Sequence, residues 1–384
     1  MTRFVIHIGM HKTGTTSIQA GLHGARDALA ERGVLYPDLG PNHSHPLVSM
    51  FCDAPLDYYV NFYSGIDTPG KVAAFNHRHR ESLDAQLAAR KWQTVLLSGE
   101  ELGTGLNESE LRAFKRYCDR YASSYRIVCY LRDPVGFATS ATQQQVQAGL
   151  TLEELYRTPP RVRYRQILEK YIRVFGRARI HLRTYQSNRR REPDLFKDFA
   201  EACEASYLAE CVEPTPRQNK ALPATAIHAL SLYNHRVPPH FIDHAGTTIN
   251  PARPPIDKVI RTLRGLGFDN STPFSLPPAV RRLAILGQLE DIGWLTTQIP
   301  YARHGPLDRF RYHLWRWFLP AEEQPFGQAT DRDDLKKISQ LVRFTTDAPP
   351  ARCRPSISAV ATTPAYTPAA AALANALHDR LSAA

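Results

Sequence analysis

A chain of 384 residues with a 43% apolar share can bury a sizeable core, which excludes a wholly disordered polymer. Its 48 lysines and arginines against 37 acids leave a net charge of +11, which favours anionic ligands: nucleotides, sulfated or phosphorylated glycans, nucleic acid or acidic lipid. Six cysteines (Cys52, Cys118, Cys129, Cys203, Cys211, Cys353) without CxxC or Cys/His spacing argue against a disulfide or zinc framework, and no apolar run reaches the length of a membrane span.

The first element lies in residues 4 to 22, FVIHIGMHKTGTTSIQAGL. Phe4, Val5, Ile6 and Ile8 predict a strand, Gly9 to Gly14 a turn, and the run through Leu22, Leu29 and Glu31 an amphipathic helix. His7 interrupts the apolar segment and no small-residue cleavage site follows, so the segment reads as a retained strand of a cytoplasmic protein, with His7 as a core histidine. The stretch PNHSHPL (41 to 47) predicts a loop on the acceptor side, carrying His43 and His45 without further metal ligands in view. Residues 71 to 90 and 107 to 122 predict helices around a buried strand, TVLLS (94 to 98). RIVCYL (126 to 131) is again a strand, and DPVGFATSATQQQVQAG a helix with Asp133 as N-cap, Pro134 first and Gly149 at its end. A helix over 161 to 175, a strand over 179 to 185 and a helix over 194 to 203 follow, the last approached by the basic cluster Arg189 to Arg191. From about residue 221 the chain is proline-punctuated and helical or irregular, with an aromatic run at 311 to 320, and 345 to 384 reads as a loosely held Ala/Pro-rich tail ending in a short helix.

Strands alternating with helices predict an α/β, P-loop-like three-layer fold with a central parallel sheet flanked by helices, plus a mostly helical C-terminal extension. The organisation read from this is a core over 1–225 with an acceptor-side insertion at 40–92, an extension of the same domain over 226–344, and the tail. Within the opening loop the order Gly9-Met10-His11-Lys12-Thr13-Gly14-Thr15-Thr16 departs from GxxxxGK[ST]: the lysine comes early and a threonine follows the second glycine. The N–H groups of residues 13 to 17 still form an anion cradle at a helix N-terminus, with little provision for magnesium. Lys12, Glu100 and Arg132 each follow a separate predicted strand, and ligands of open parallel sheets bind at the carboxyl ends of strands.

HIGMHKTGTTSIQ resembles the 5′-phosphosulfate loop of sulfotransferases, bacterial ones in particular, that use 3′-phosphoadenosine 5′-phosphosulfate (PAPS). YLRDPVGFATSATQQQVQAG resembles the family's 3′-phosphate segment, which implies that Arg132 and Ser140 clamp that phosphate. LLSGEEL (96 to 102) resembles the Ser-x-Glu strand of the glycan-modifying branch, which implies Glu100 as the base; His43 and His45 stay open as alternatives. FGRARIHLRTYQ and RQNKAL are similar to later family segments, the second bringing Arg217 and Asn219 over the nucleotide or onto a helix cap. The resemblance covers residues 3 to 225. It implies PAPS as sulfuryl donor and 3′,5′-phosphoadenosine as product, no metal, and a carbohydrate or lipid-linked acceptor. Lys12 and Glu100 are then catalytic, and the donor is held by His11, Lys12, Thr13, Gly14, Thr15, Thr16, Ser17, Arg132, Ser140, Arg217 and Asn219. Nucleic acid is not an expected partner, because the positive charge is spread out rather than clustered with aromatics, while peripheral contact with a membrane is compatible with it. Phe62, Tyr63, Trp315 and Trp317 either stack on sugar rings or belong to the core. Two alternatives remain: a small-molecule kinase, which requires ATP and magnesium, and a non-catalytic nucleotide binder on the same fold.

Overall fold

The computed structural model describes residues 1–185, 192–212, 222–243, 246–250, 252–266, 272–298 and 368–382. The cluster Arg189 to Arg191, Arg217 with Asn219, and the aromatic run with Trp315 and Trp317 lie outside the described residues. In chain order the elements are β1 (Arg3–Ile8), α1 (Thr15–Gly24), α2 (Arg26–Glu31), β2 (Val34–Leu35), α3 (Ser44–Phe51), α4 (Tyr59–Tyr63), α5 (Pro69–Ala88), β3 (Thr94–Gly99), α6 (Leu102–Gly105), α7 (Glu108–Asp119) and β4 (Ser124–Leu131). They continue with α8 (Pro134–Gln147), α9 (Leu152–Arg157), α10 (Tyr164–Phe175), β5 (Ile180–Thr184), α11 (Glu192–Ala202), α12 (Leu208–Cys211), α13 (Ala224–Arg236), β6 (His240–Asp243), β7 (Gly246–Ile249), α14 (Ile256–Leu266), α15 (Pro278–Leu286), α16 (Leu289–Gln298) and α17 (Pro368–Ser382). Two compact units result, one from Met1–Arg132 with Tyr164–Asn219 and the other from Asp133–Arg163 with Lys220–Ala384.

The first unit is an α/β layer structure around a five-stranded sheet ordered β2-β3-β1-β4-β5, parallel at every pairing. β1 is central, hydrogen-bonded on both sides and buried on both faces, which is why its sequence is a near-continuous apolar run rather than an alternation. On one face Val5, Leu96, Val128 and Tyr130 pack with Ile18 and Leu22 of α1, Leu29 of α2, and Leu195 and Phe199 of α11. On the other face Phe4 meets Tyr125, whose ring also meets Phe175 of α10. The two-residue strand β2 escapes sequence reading because it is too short to show a period.

The expectation of a loop over 41 to 47 is corrected: α3 starts at Ser44, with His43 as its N-cap residue and His45 in its first turn. Asn42 Oδ1 accepts the Ser44 N–H at 3.0 Å and turns the chain into the helix. Pro46 falls in the first turn, where its missing N–H has no partner to lose.

In the second unit α8 begins as its sequence predicts, with the Asp133 carboxylate accepting the Gly136 N–H and Pro134 in the first position. Its core joins Ala138 and Val146 of α8, Leu152 and Leu155 of α9, Ile227, Leu230 and Tyr233 of α13, and Leu377 and Leu381 of α17. The closing alanine-rich helix is therefore a core element of this unit rather than loosely held. Its buried Ala370, Ala374, Leu377 and Leu381 recur every three or four residues and make one apolar stripe. Strands β6 and β7 pair antiparallel inside a region expected to be helical or irregular. No helix among the described residues is long and apolar enough to cross a membrane.

Candidate functional site

The strand order locates the crevice. From the end of β1 the chain crosses toward β2 on one side of the sheet, and from the end of β4 it goes on to β5 on the other, so the connections diverge between the adjacent strands β1 and β4. In open parallel sheets that divergence is where ligands bind. The Lys12 loop leaves β1 there, Arg132 directly follows β4, and Glu100 directly follows β3 on the other side of β1.

The loop is held in an unusual backbone shape. The Gly9 N–H donates to Gly99 C=O at 3.1 Å, and a Cβ on Gly9 would overlap the Thr15 methyl and come within 3.1 Å of Glu100 Cα, so only glycine lets the two loops touch. The buried Thr13 hydroxyl donates to Met10 C=O at 2.6 Å. Lys12 adopts φ 66° and Gly14 φ 77°, two left-handed positions within three residues, the first of them costly for a residue with a Cβ. Gly14 is the N-cap of α1, no side chain caps that end, and no acidic residue stands in the first turn. The positive end of the helix dipole therefore meets no carboxylate from the first turn itself.

The charged groups are close enough to shift one another's protonation. His11 Nδ1 lies 3.1 Å from Glu100 Oε1. Burial raises the Glu100 pKa, but the hydrogen bond and charge of His11, the charge of Lys12 and a hydrogen bond from Thr15 outweigh it and hold the carboxyl below its usual range. His11 is correspondingly raised, chiefly by its hydrogen bond to Glu100. Lys12 is lowered, first by burial and further by Arg132, with Glu100 opposing. Arg132 is fastened on several sides: Nη1 donates to Lys12 C=O, the guanidinium lies 5.4 Å from the Tyr185 ring centre, and its backbone N–H donates to the Tyr164 hydroxyl at 2.9 Å. Tyr185 also approaches Gly14, so one ring supports both the anion loop and the arginine. Tyr164, Tyr185 and the His11–Glu100 pair are not read from the sequence; for Tyr185 the signal available was its place at the carboxyl end of a fifth parallel strand.

The remaining site residues divide. Thr13 and Thr15 are buried, Gly14 and Ser17 half-buried and Thr16 exposed, all within the loop and the first turn of α1. Ser140 is half-buried on α8 in the second unit. Arg217 and Asn219 lie outside the described residues. Glu101 has a different environment from Glu100: the hydroxyls of Tyr58 and Tyr59 donate to its carboxylate and its N–H donates to Ser44 Oγ at 2.8 Å.

The histidines held open as bases have structural partners. His43 is fully buried, accepts the Ser98 N–H on Nδ1 at 3.3 Å and donates from Nε2 to Pro37 C=O at 3.1 Å, and burial pushes its pKa down to about 3. His45 donates from Nε2 to Asn61 Oδ1 at 2.8 Å and stacks on Phe75. His7 is a core histidine, bonded to Ser98 Oγ at 2.9 Å and lowered by burial to about 4. Among the described residues no group of three or more His, Cys, Asp or Glu side chains could hold a metal ion. No protein-family model matches the chain, and no curated protein or solved structure does.

Proposed function

We propose that the chain transfers a sulfuryl group from PAPS to an acceptor hydroxyl or amine, on a glycan or glycolipid, by in-line displacement. The observation that carries this reading is the interlock at the β1/β4 divergence, where the Arg132 guanidinium donates to the carbonyl of Lys12 beside an uncapped helix N-terminus. Two cations and a row of N–H groups so arranged suit a ligand with two separate anionic groups. In this reading Lys12 neutralises the bridging oxygen of the departing 5′-phosphate, helped by the N–H groups from Thr13 to Thr16, and its partial burial strengthens that attraction. Arg132 holds the 3′-phosphate, and Glu100, directly or through the imidazole it holds, receives the acceptor's proton. The acceptor class is supported by Tyr59, Phe62 and Tyr63, exposed along α4, where Tyr59 also reaches the loop that carries Glu100 and Glu101. Exposed aromatic faces suit the apolar faces of sugar rings.

Calorimetry with Arg132→Ala tests it. Loss of a charge-assisted, forked contact should weaken 3′,5′-phosphoadenosine about tenfold to a hundredfold more than adenosine 5′-phosphate, whose smaller loss reflects the Lys12 carbonyl left without its donor, with Arg132→Lys in between. Equal losses for both ligands, or tight magnesium–ATP binding without 3′,5′-phosphoadenosine binding, would refute the reading.

A further inference from the structure

We infer that His11, and not the Glu100 carboxylate itself, takes the acceptor's proton, with Glu100 as the positioning residue that fixes the imidazole. This rests on the sulfuryl-transfer reading and refines it.

The geometry gives the two residues unequal positions. Glu100 sits at the bottom of the pair: its side chain is 23% exposed against 41% for His11, and it already accepts from His11 Nδ1 and from Thr15. A carboxylate so hydrogen-bonded is stabilised as the anion and is a poor proton acceptor. With Nδ1–H donated to Glu100, neutral His11 keeps its lone pair on Nε2, and no protein group among the described residues bonds that atom. A carboxylate that orients an imidazole through Nδ1 while Nε2 handles the proton is a general solution to base catalysis near neutral pH. The titratable and charged groups facing His11 are Glu100, Glu101 and Lys12. The two glutamates favour imidazolium and Lys12 opposes it, so the charge formed on proton uptake is stabilised where it arises.

The step balances as follows. The acceptor oxygen forms a bond to sulfur while the bond from sulfur to the bridging oxygen breaks. The hydroxyl proton passes to His11 Nε2, giving imidazolium paired with Glu100. The electron pair of the broken bond stays on the 5′-phosphate oxygen, opposite Lys12, and imidazolium later returns its proton to water.

The test uses the full chain with radiolabelled PAPS and a panel of soluble oligosaccharides, with PAPS hydrolysis as the readout of transfer to water. His11→Ala should lose transfer about a hundredfold or more, far beyond any loss of 3′,5′-phosphoadenosine affinity that comes from its place in the donor loop, and regain activity with added free imidazole. Glu100→Gln should lose less than His11→Ala. In Glu100→Gln the acid limb of kcat/KM should move to lower pH, because His11 no longer has the partner that raises it, and nuclear magnetic resonance should show the His11 titration moving the same way without any acceptor. The inference is overturned if His11→Ala retains transfer while Glu100→Gln abolishes it, if imidazole gives no rescue, or if the His11 titration does not move in Glu100→Gln. A wild-type chain that binds no 3′,5′-phosphoadenosine would instead remove the sulfuryl-transfer reading, and this inference with it.

Discussion

Replacing Lys12 with glycine separates what the residue does for the fold from what it does for a ligand. At φ 66° its backbone occupies the left-handed region, which costs a residue with a Cβ about 1–2 kcal/mol. Glycine removes that cost but adds about 0.5–1 kcal/mol of unfolded-state entropy to be lost on folding. The substitution also removes an ammonium that is penalised by burial and by Arg132, and forgoes its attraction to Glu100. The balance is a gain between about 0 and 1.5 kcal/mol, or a rise in Tm of roughly 2 °C for a unit of this size. If sulfuryl transfer is the reaction, turnover should nevertheless fall on the order of a hundredfold or more, since in that proposal the lost charge acts on a developing oxyanion. Lys12→Met serves as the control: it loses the charge and keeps the strained backbone, so it should lose turnover similarly without the backbone gain. Thermal and urea denaturation of both variants, run beside 3′,5′-phosphoadenosine calorimetry and a transfer assay, give the answer. A glycine variant less stable than wild type by more than about 1 kcal/mol would show that Lys12 holds the fold, and unchanged turnover would remove it from the chemistry.

Gly14→Ala should destabilise the first unit by about 2–3 kcal/mol in urea, because the left-handed backbone penalty adds to a crowded Cβ. That Cβ would stand 2.6 Å from Leu195 Cδ2 and 3.1 Å from the Tyr185 ring, at φ 77°; a loss below about 0.5 kcal/mol would contradict this packing. Stability should also fall as pH drops from 6.5 toward 4. His7 and His43, held to about 4 and about 3 by burial, stay neutral in the folded chain while their unfolded counterparts take up protons. At pH 5 this amounts to about 2 kcal/mol for each residue, and a flat urea midpoint between pH 7 and 5 would refute it. The His11–Glu100 pair acts differently: His11's share is full below its unfolded value and is lost as pH rises through its raised folded value, whereas Glu100's share is present above its unfolded value and is lost as pH falls through its lowered one.

The alternation of strands and helices was legible because a strand buried on both faces must be written almost wholly in apolar residues, as in β1 and β3. The convergence of Lys12, Glu100 and Arg132 was legible because parallel strands send their ends to one edge. The fastening of these residues was not. Periodicity does not report that Lys12 takes a glycine-like backbone angle, and the partners Tyr164 and Tyr185 come from other elements, far along the chain. Asn42, His43 and Pro46 look like loop residues until Asn42 is seen to turn the chain into α3 and Pro46 to fall where no N–H is needed. His43 owes its role to Ser98 and Pro37, contacts that depend on how β3 lies beside the preceding segment. The antiparallel pair β6 and β7 was hidden for a related reason: the two strands are four residues each, too short for alternation to stand out.

Tyr164 offers a consequence beyond the site. The chain leaves the first unit after Arg132 and re-enters it at Tyr164, whose hydroxyl both accepts the Arg132 N–H and donates to the Arg132 carbonyl at 2.8 Å. The excursion between them thus departs and returns at a single pinned point, like a loop of thread tied at its base. Closing such a loop depends only logarithmically on its length, so the cost of bringing its two ends together would change little with a few residues more or fewer between them. Residues 133–163 are therefore tied to the first unit at their base by one tyrosine, while Ala138, Val146, Leu152 and Leu155 within them are committed to the core of the second.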